Sequence, residues 1–129
     1  MLDTDICIYL IGRKPAGLIA RLQQTPVSQV GISSITMSEL EFGVQKSQRP
    51  EQNAIALIQF LTPLEVLPYD DLAAREYGSI RAHLESGGVP IGALDTLIAA
   101  HARSVGCVLV TNNTREFSRV PSLPVENWA

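Results

Sequence analysis

The sequence predicts an α/β fold: a single domain over residues 1–129, with a small parallel sheet of four to five strands and helices on both faces. Three observations predict it. Short β-like runs alternate with helical patterns along the whole chain. Acid-bearing segments recur at or near the starts of the expected helices. At 129 residues and 46% hydrophobic content, the chain is one domain with enough apolar material for a core.

In order, Met1-Leu2 is the stub of a first strand that ends at Asp3. Ile6 to Ile11 reads as a short apolar helix and Gly17 to Gln24 as another. Val30-Gly31-Ile32-Ser33 is the second strand, followed by a helix from Met37 to about Ser47. A further helix from about Glu51 to Leu61 runs up to Thr62-Pro63. Val66 to Tyr69 is the third strand, with Pro68 marking an edge or strand end. Asp70-Asp71 open a helix that stops at Gly87-Gly88. Gly92 to Val105 is helical and closed by Gly106. Cys107-Val108-Leu109-Val110 is the clearest strand, and a short one around Pro124-Val125 closes the sheet.

Composition narrows the function. The charged fraction of 18% is that of a globular protein. Aromatic residues make up 5%, so no stacking platform for single-stranded bases is advertised. No apolar run is long enough to span a bilayer. The opening lacks a basic region followed by an apolar stretch, so no signal peptide and a cytoplasmic location are expected. Cys7 and Cys107, each among apolar neighbours, are expected to be buried free thiols. A net charge of −3 argues against non-specific binding along nucleic acid backbones. It does not argue against a nucleic acid enzyme whose negative charges bind metal.

In open parallel sheets ligands bind beyond the carboxyl ends of the strands. Asp3 follows the first strand, Glu39 the second and Asn113 the Cys107–Val110 strand, while Asp95 is near the first turn of its helix. Carboxylates gathered at one sheet edge suit a hard cation such as Mg²⁺ or Mn²⁺, and point to phosphodiester chemistry. Each has a structural alternative. Asp3 could cap the helix near Ile6, although Thr4 and Asp5 are better placed for that. Thr36-Met37-Ser38-Glu39 matches a capping box, with Thr36 as cap and Glu39 reaching back. Asp95 lies on the most apolar helix of the chain, so its charge must be capped, paired or bound to metal. Asn113 could cap a helix starting at Thr114, and Glu116 is a second candidate there. His83 and His101 read as structural, with no spacing that suggests zinc.

With these residues assembled, the chain resembles a PIN-domain ribonuclease, specifically a VapC-type toxin of a type II toxin–antitoxin pair. The matching segments are Met1 to Cys7, Ser33 through Glu39 to Gly43, Ile91 through Asp95 to His101, and Leu109 through Asn113 to Phe117, continuing to Glu126-Asn127-Trp128. The resemblance implies a PIN-like fold and an acidic cluster of Asp3, Glu39 and Asp95, with Asn113 at a fourth position that is often Asp. Asp5 stands where the family commonly has Asn. Asp3 and Asp95 would hold the principal Mg²⁺ or Mn²⁺, with Glu39 binding a second ion or orienting water. Asn113 would support a ligand or a bound water.

The resemblance further implies a homodimer, a cognate VapB-type antitoxin that occupies the active site, and operator DNA contacted through that antitoxin. The implied substrate is RNA, with tRNA and the initiator tRNA anticodon loop as the target. Arg13, Lys14, Lys46, Arg49, Arg115 and Arg119 are candidates for gripping its phosphates. One rival is a PIN-like binding scaffold without catalysis. A haloacid-dehalogenase-type phosphatase shares the Asp3-Thr4-Asp5 spacing, but wants Gly and Thr or Val where this chain has Ile6-Cys7. A receiver domain lacks its central acceptor Asp and its late-strand Lys here.

Overall fold

The computed structural model describes all of residues 1–129. Its helices are α1 (Thr4–Ile11), α2 (Ala16–Gln24), α3 (Ser34–Lys46), α4 (Pro50–Leu61), α5 (Asp71–Ser86), α6 (Ala93–Val105) and the single turn α7 (Thr114–Phe117). The strands are β1 (Gly31–Ser33), β2 (Glu65–Leu67), β3 (Leu109–Val110) and β4 (Val125–Glu126). β1 pairs with β2 and β3 with β4, both in parallel. The N-terminal segment lies between the two ladders. Leu2 N–H donates to Gly31 O at 2.9 Å, while Asp3 N–H and Val110 N–H donate to Val110 O and Met1 O at 2.8 Å each. Two two-stranded parallel ladders, with a one-residue bridge from Leu2 to Val110, thus show the expected sheet in part.

Helices cover both faces because successive strand residues point to opposite sides. Met1 and Leu109 join a cluster with Ile80, Leu84, Ile98 and Phe117, built from α5, α6 and α7. Their neighbours Leu2 and Val110 join a second cluster with Ile6, Leu18, Ile32, Leu40 and Leu57, built from α1 to α4 and β1. No helix is long and apolar enough to cross a membrane. Gly31 suits the close approach of β1 to β2, because a Cβ there would meet Glu65 O at a tight 3.0 Å.

Three local expectations are corrected. The first helix begins at Thr4 rather than Ile6, so Asp3 itself is its cap and accepts from Thr4 N–H. The third begins at Ser34 rather than Met37, because the Ser33 hydroxyl accepts from Ile35 N–H at 3.0 Å as soon as β1 ends. Thr36 is then inside the helix, and the capping box with Glu39 does not form. Cys107 is only half-buried, because β3 starts at Leu109 and leaves it in the preceding turn; Cys7 is buried, and both thiols are free.

Candidate metal centre

Asp3 is placed by its own N–H bond to Val110 O of β3 and by the bond of the preceding Leu2 N–H to Gly31 O of β1, and it is buried to 4% exposure. One carboxylate oxygen, Oδ1, accepts from Thr4 N–H at 2.8 Å, and Oδ2 accepts from the Thr111 hydroxyl at 2.8 Å. Burial pushes its carboxyl up to about 7, helped by the charges of Asp5 and Asp95; the two hydrogen bonds pull the other way and lose. A carboxylate so placed is held against its preference for water.

Asp95 occupies the first turn of α6, whose cap is Gly92 and has no side chain to offer. Its carboxyl is also raised, first by burial and then by the charges of Glu116, Glu39 and Asp5; no hydrogen bond offsets them. Glu39, in the second turn of α3, accepts from the Thr4 hydroxyl at 2.6 Å, and that hydroxyl lies 3.1 Å from Thr36 Oγ1. The Asp3-Thr4 pair thus ties the first acid to the third.

Across the cleft, Asn113 N–H donates to Thr111 Oγ1 at 2.9 Å, and its side-chain amide donates to Glu116 Oε2 at 3.1 Å. Asn113 occupies the cap position of α7 without making a side-chain capping bond. It holds Glu116, whose charge acts on Asp95 more strongly than that of Glu39 or Asp5. Asp5 accepts from Ile6 N–H at 2.7 Å and from Asn112 N–H at 3.2 Å, fixing the loop after β3.

Asp3, Asp5, Glu39, Asp95 and Glu116 therefore share one edge, beyond the carboxyl ends of the first strand segment, β1 and β3. Asp5 and Glu116 stand at this edge beside the three acids nominated from sequence, and the hydroxyls of Thr4 and Thr111 that hold Glu39 and Asp3 were not anticipated. Short hydroxyl residues directly after Asp3 and β3 were the available signal. The chain's three ion pairs, Arg21–Glu126, Arg81–Glu85 and Arg103–Glu76, leave all five acids without a cation. As arranged, no three of them converge tightly enough to hold an ion outright. The donor set still fits a hard divalent cation. Every donor is oxygen, and the carboxyls of Asp3 and Asp95, raised first by burial and then by neighbouring acids, are groups whose charged form a cation would favour.

His101 lies outside this chemistry. Its Nδ1 is 2.7 Å from Ser33 Oγ, its ring meets Tyr69 edge-on at 5.6 Å, and burial lowers its pKa against a small opposing pull from Asp70.

A parallel α/β domain with uncompensated acids at the strand ends defines a class of proteins built to engage hard cations. The particular family follows from comparison. The PIN domain family matches residues 1–123, and the chain belongs to it. It is 47% identical, over 100% of its length and 97% of the relative's, to the tRNA(fMet)-specific endonuclease VapC of Shigella flexneri. Among solved structures, it is similar to the chain in the DNA-bound VapBC crystal structure from Salmonella typhimurium, with TM-score 0.95 and 46% identity, covering 100% of this chain and 97% of that one. The VapBC2 structure from Rickettsia felis bound to a promoter DNA fragment gives TM-score 0.94 and 41% identity, covering 100% and 98%.

Proposed function

We propose that this chain is a divalent-metal-dependent endoribonuclease and the toxin of a VapBC-type toxin–antitoxin pair, with tRNA as substrate and the initiator tRNA anticodon loop as its target. The observation that carries the reading is the unpaired acid cluster, on a chain nearly half identical to a tRNA(fMet)-specific endonuclease over its full length. Its partner in this reading is a VapB-type antitoxin, with operator DNA contacted through that antitoxin and two toxin copies forming a homodimer.

Asp3 and Asp95 would hold the principal Mg²⁺ or Mn²⁺, with Glu39 at a second ion or at the attacking water. The metal supplies charge stabilisation at the phosphoryl oxygens and a water that deprotonates more readily. Glu39, held by Thr4, orients the water for attack on phosphorus and takes up its proton. The P–O bond to the leaving ribose oxygen breaks as the new P–O bond forms. That oxygen leaves with a proton returned from solvent or from the carboxyl. Asn113 would hold Glu116 through its side-chain amide, keeping that carboxylate among the acids that would hold the cation.

The test is cleavage of tRNA with Mg²⁺ or Mn²⁺ by the parent chain and by Asp3→Asn, Glu39→Gln and Asp95→Asn. The expected result is metal-dependent cleavage by the parent alone. Undiminished cleavage by all three variants would remove the site assignment, and no cleavage by the parent would remove the activity.

A further inference from the structure

The cleft that holds Glu39 continues along α3 beyond the acids. We propose that this extension is a nucleotide subsite, in which Phe42 stacks against a base of the RNA and Lys46 holds a neighbouring phosphate. The inference rests on the ribonuclease reading above and extends it to how the strand is gripped.

The extension is a cavity of about 560 Å³ whose walls include Thr4, Ile8, Glu39, Phe42, Lys46 and Leu94. Thr4 and Glu39 belong to the acid cluster, and Leu94 is the residue before Asp95, so the two spaces are continuous. Phe42 is 65% exposed, whereas Phe60 is half-buried and Phe117 buried. The few aromatics of this chain thus include one open phenyl ring, and it stands beside the candidate centre. Ile8 and Leu94, themselves about half exposed, complete an apolar slot for the faces of a base.

Lys46 gives the slot a charged end. Its Nζ lies 5.2 Å from the centre of the Phe42 ring, and it enters none of the ion pairs despite the nearby carboxylates. Glu39, Phe42, Gly43 and Lys46 follow the i, i+3, i+4, i+7 spacing of one helix face, which sets Lys46 roughly 10 Å from Glu39 along the axis. That reach covers a few nucleotides of a strand whose scissile phosphate is at the acids. Gly43 leaves the floor between them open, since nothing lies within 4 Å of where its Cβ would stand. An amphipathic peptide could use the apolar walls, but the free ammonium of Lys46, at the end away from Glu39, favours an occupant that carries negative charge there, as an RNA strand does.

The experiment measures binding of the target stem-loop RNA to full-length protein carrying Asp95→Asn, by fluorescence anisotropy across a salt series. Phe42→Ala, Phe42→Tyr, Lys46→Gln and Lys46→Arg are each added to that background. Steady-state cleavage is measured for the same four changes in the active parent. Phe42→Ala is expected to weaken RNA binding about tenfold and raise KM with kcat little changed, and Phe42→Tyr to restore both. Lys46→Gln should reduce the slope of log affinity against log salt by about 0.7, the share of one phosphate contact on a single strand, with Lys46→Arg retaining it. Unchanged affinity, KM and salt slope in Phe42→Ala and Lys46→Gln would overturn the subsite, and so would losses confined to binding of a helical protein partner. Cleavage by the parent separates this failure from failure of the ribonuclease reading itself.

Discussion

The two ends of α6 carry charge in opposite ways. At its C-terminal end Arg103 is almost fully engaged: Nε donates to Glu76 Oε2 at 2.6 Å, Nη1 to Pro121 O at 3.0 Å and Nη2 to Ser79 Oγ at 3.2 Å. Gly106, in the left-handed region at φ 70°, closes the same end with backbone bonds to Ala102 and Arg103. At the N-terminal end Asp95 has no hydrogen bond, no cation and three acids around it. A charge that only serves the fold is neutralised by the fold, as at Arg103. A charge left raised and unpaired costs stability, and its retention makes sense if something outside the chain completes it.

The largest expected effect breaks the comparison at the N-terminal end. Asp3→Asn and Asp95→Asn should lower metal-dependent RNA cleavage by more than about 100-fold, since even outer partners of a bound metal cost up to that. The same substitutions should raise the melting temperature of metal-free protein by roughly 3–8 °C, because each removes a half-buried or buried charge from among like charges. Calorimetry without metal, set beside a cleavage assay, checks the two halves. A loss of stability in both variants would make these acids structural.

Next in size is the pH dependence of metal-free stability. Folding raises the Asp3 carboxyl from 3.8 to about 7, so the folded chain holds this proton more tightly than the unfolded one. Its contribution is fully present below pH 4 and is lost as pH rises through 7, of order 2–4 kcal/mol in all. Buried His101 has the opposite sign: folding lowers its pKa, so its contribution is present above about pH 6.5 and lost on acidification. Asp95, also raised, has the sign of Asp3, so metal-free parent should gain stability from pH 7.5 to 5.5 and Asp3→Asn should gain less. Denaturant melts at the two pH values decide between these signs.

The smallest effect lies at the C-terminal end. Arg103→Ala should cost about 1–3 kcal/mol, as charged hydrogen bonds are lost and Glu76 is stranded, with RNA cleavage per folded molecule unchanged. A drop in cleavage without a drop in stability would mean the two ends are not separate in function.

Much of the fold was legible because its signals are local. α5 is bracketed by Asp70-Asp71 and Gly87-Gly88 and was expected where it stands; the strand expected over Cys107–Val110, between Gly106 and the polar run from Thr111, forms only at Leu109–Val110. The start of α3 was not, because Ser33 and Thr36 are both good caps, and only the end of β1 against β2 decides for Ser33. The order of the acid-bearing segments was enough to nominate Asp3, Glu39 and Asp95 together. Their detailed support was beyond sequence reading. Thr111 reaches Asp3 across 108 positions and Thr4 reaches Glu39 across 35, and no local pattern specifies such pairs. Asn113 was nominated as a possible member of the site, but its grip on Glu116 depends on the turn after β3.

That the unpaired acids Asp3 and Asp95 await a divalent cation is tested most directly by calorimetric titration of Mn²⁺ into metal-free protein at pH 7.5, with the melting temperature followed in parallel. The parent should bind the ion, release protons on binding and melt at a higher temperature when loaded, while Asp3→Asn and Asp95→Asn should do none of these. Equal binding and equal stabilisation in parent and both variants would contradict the account.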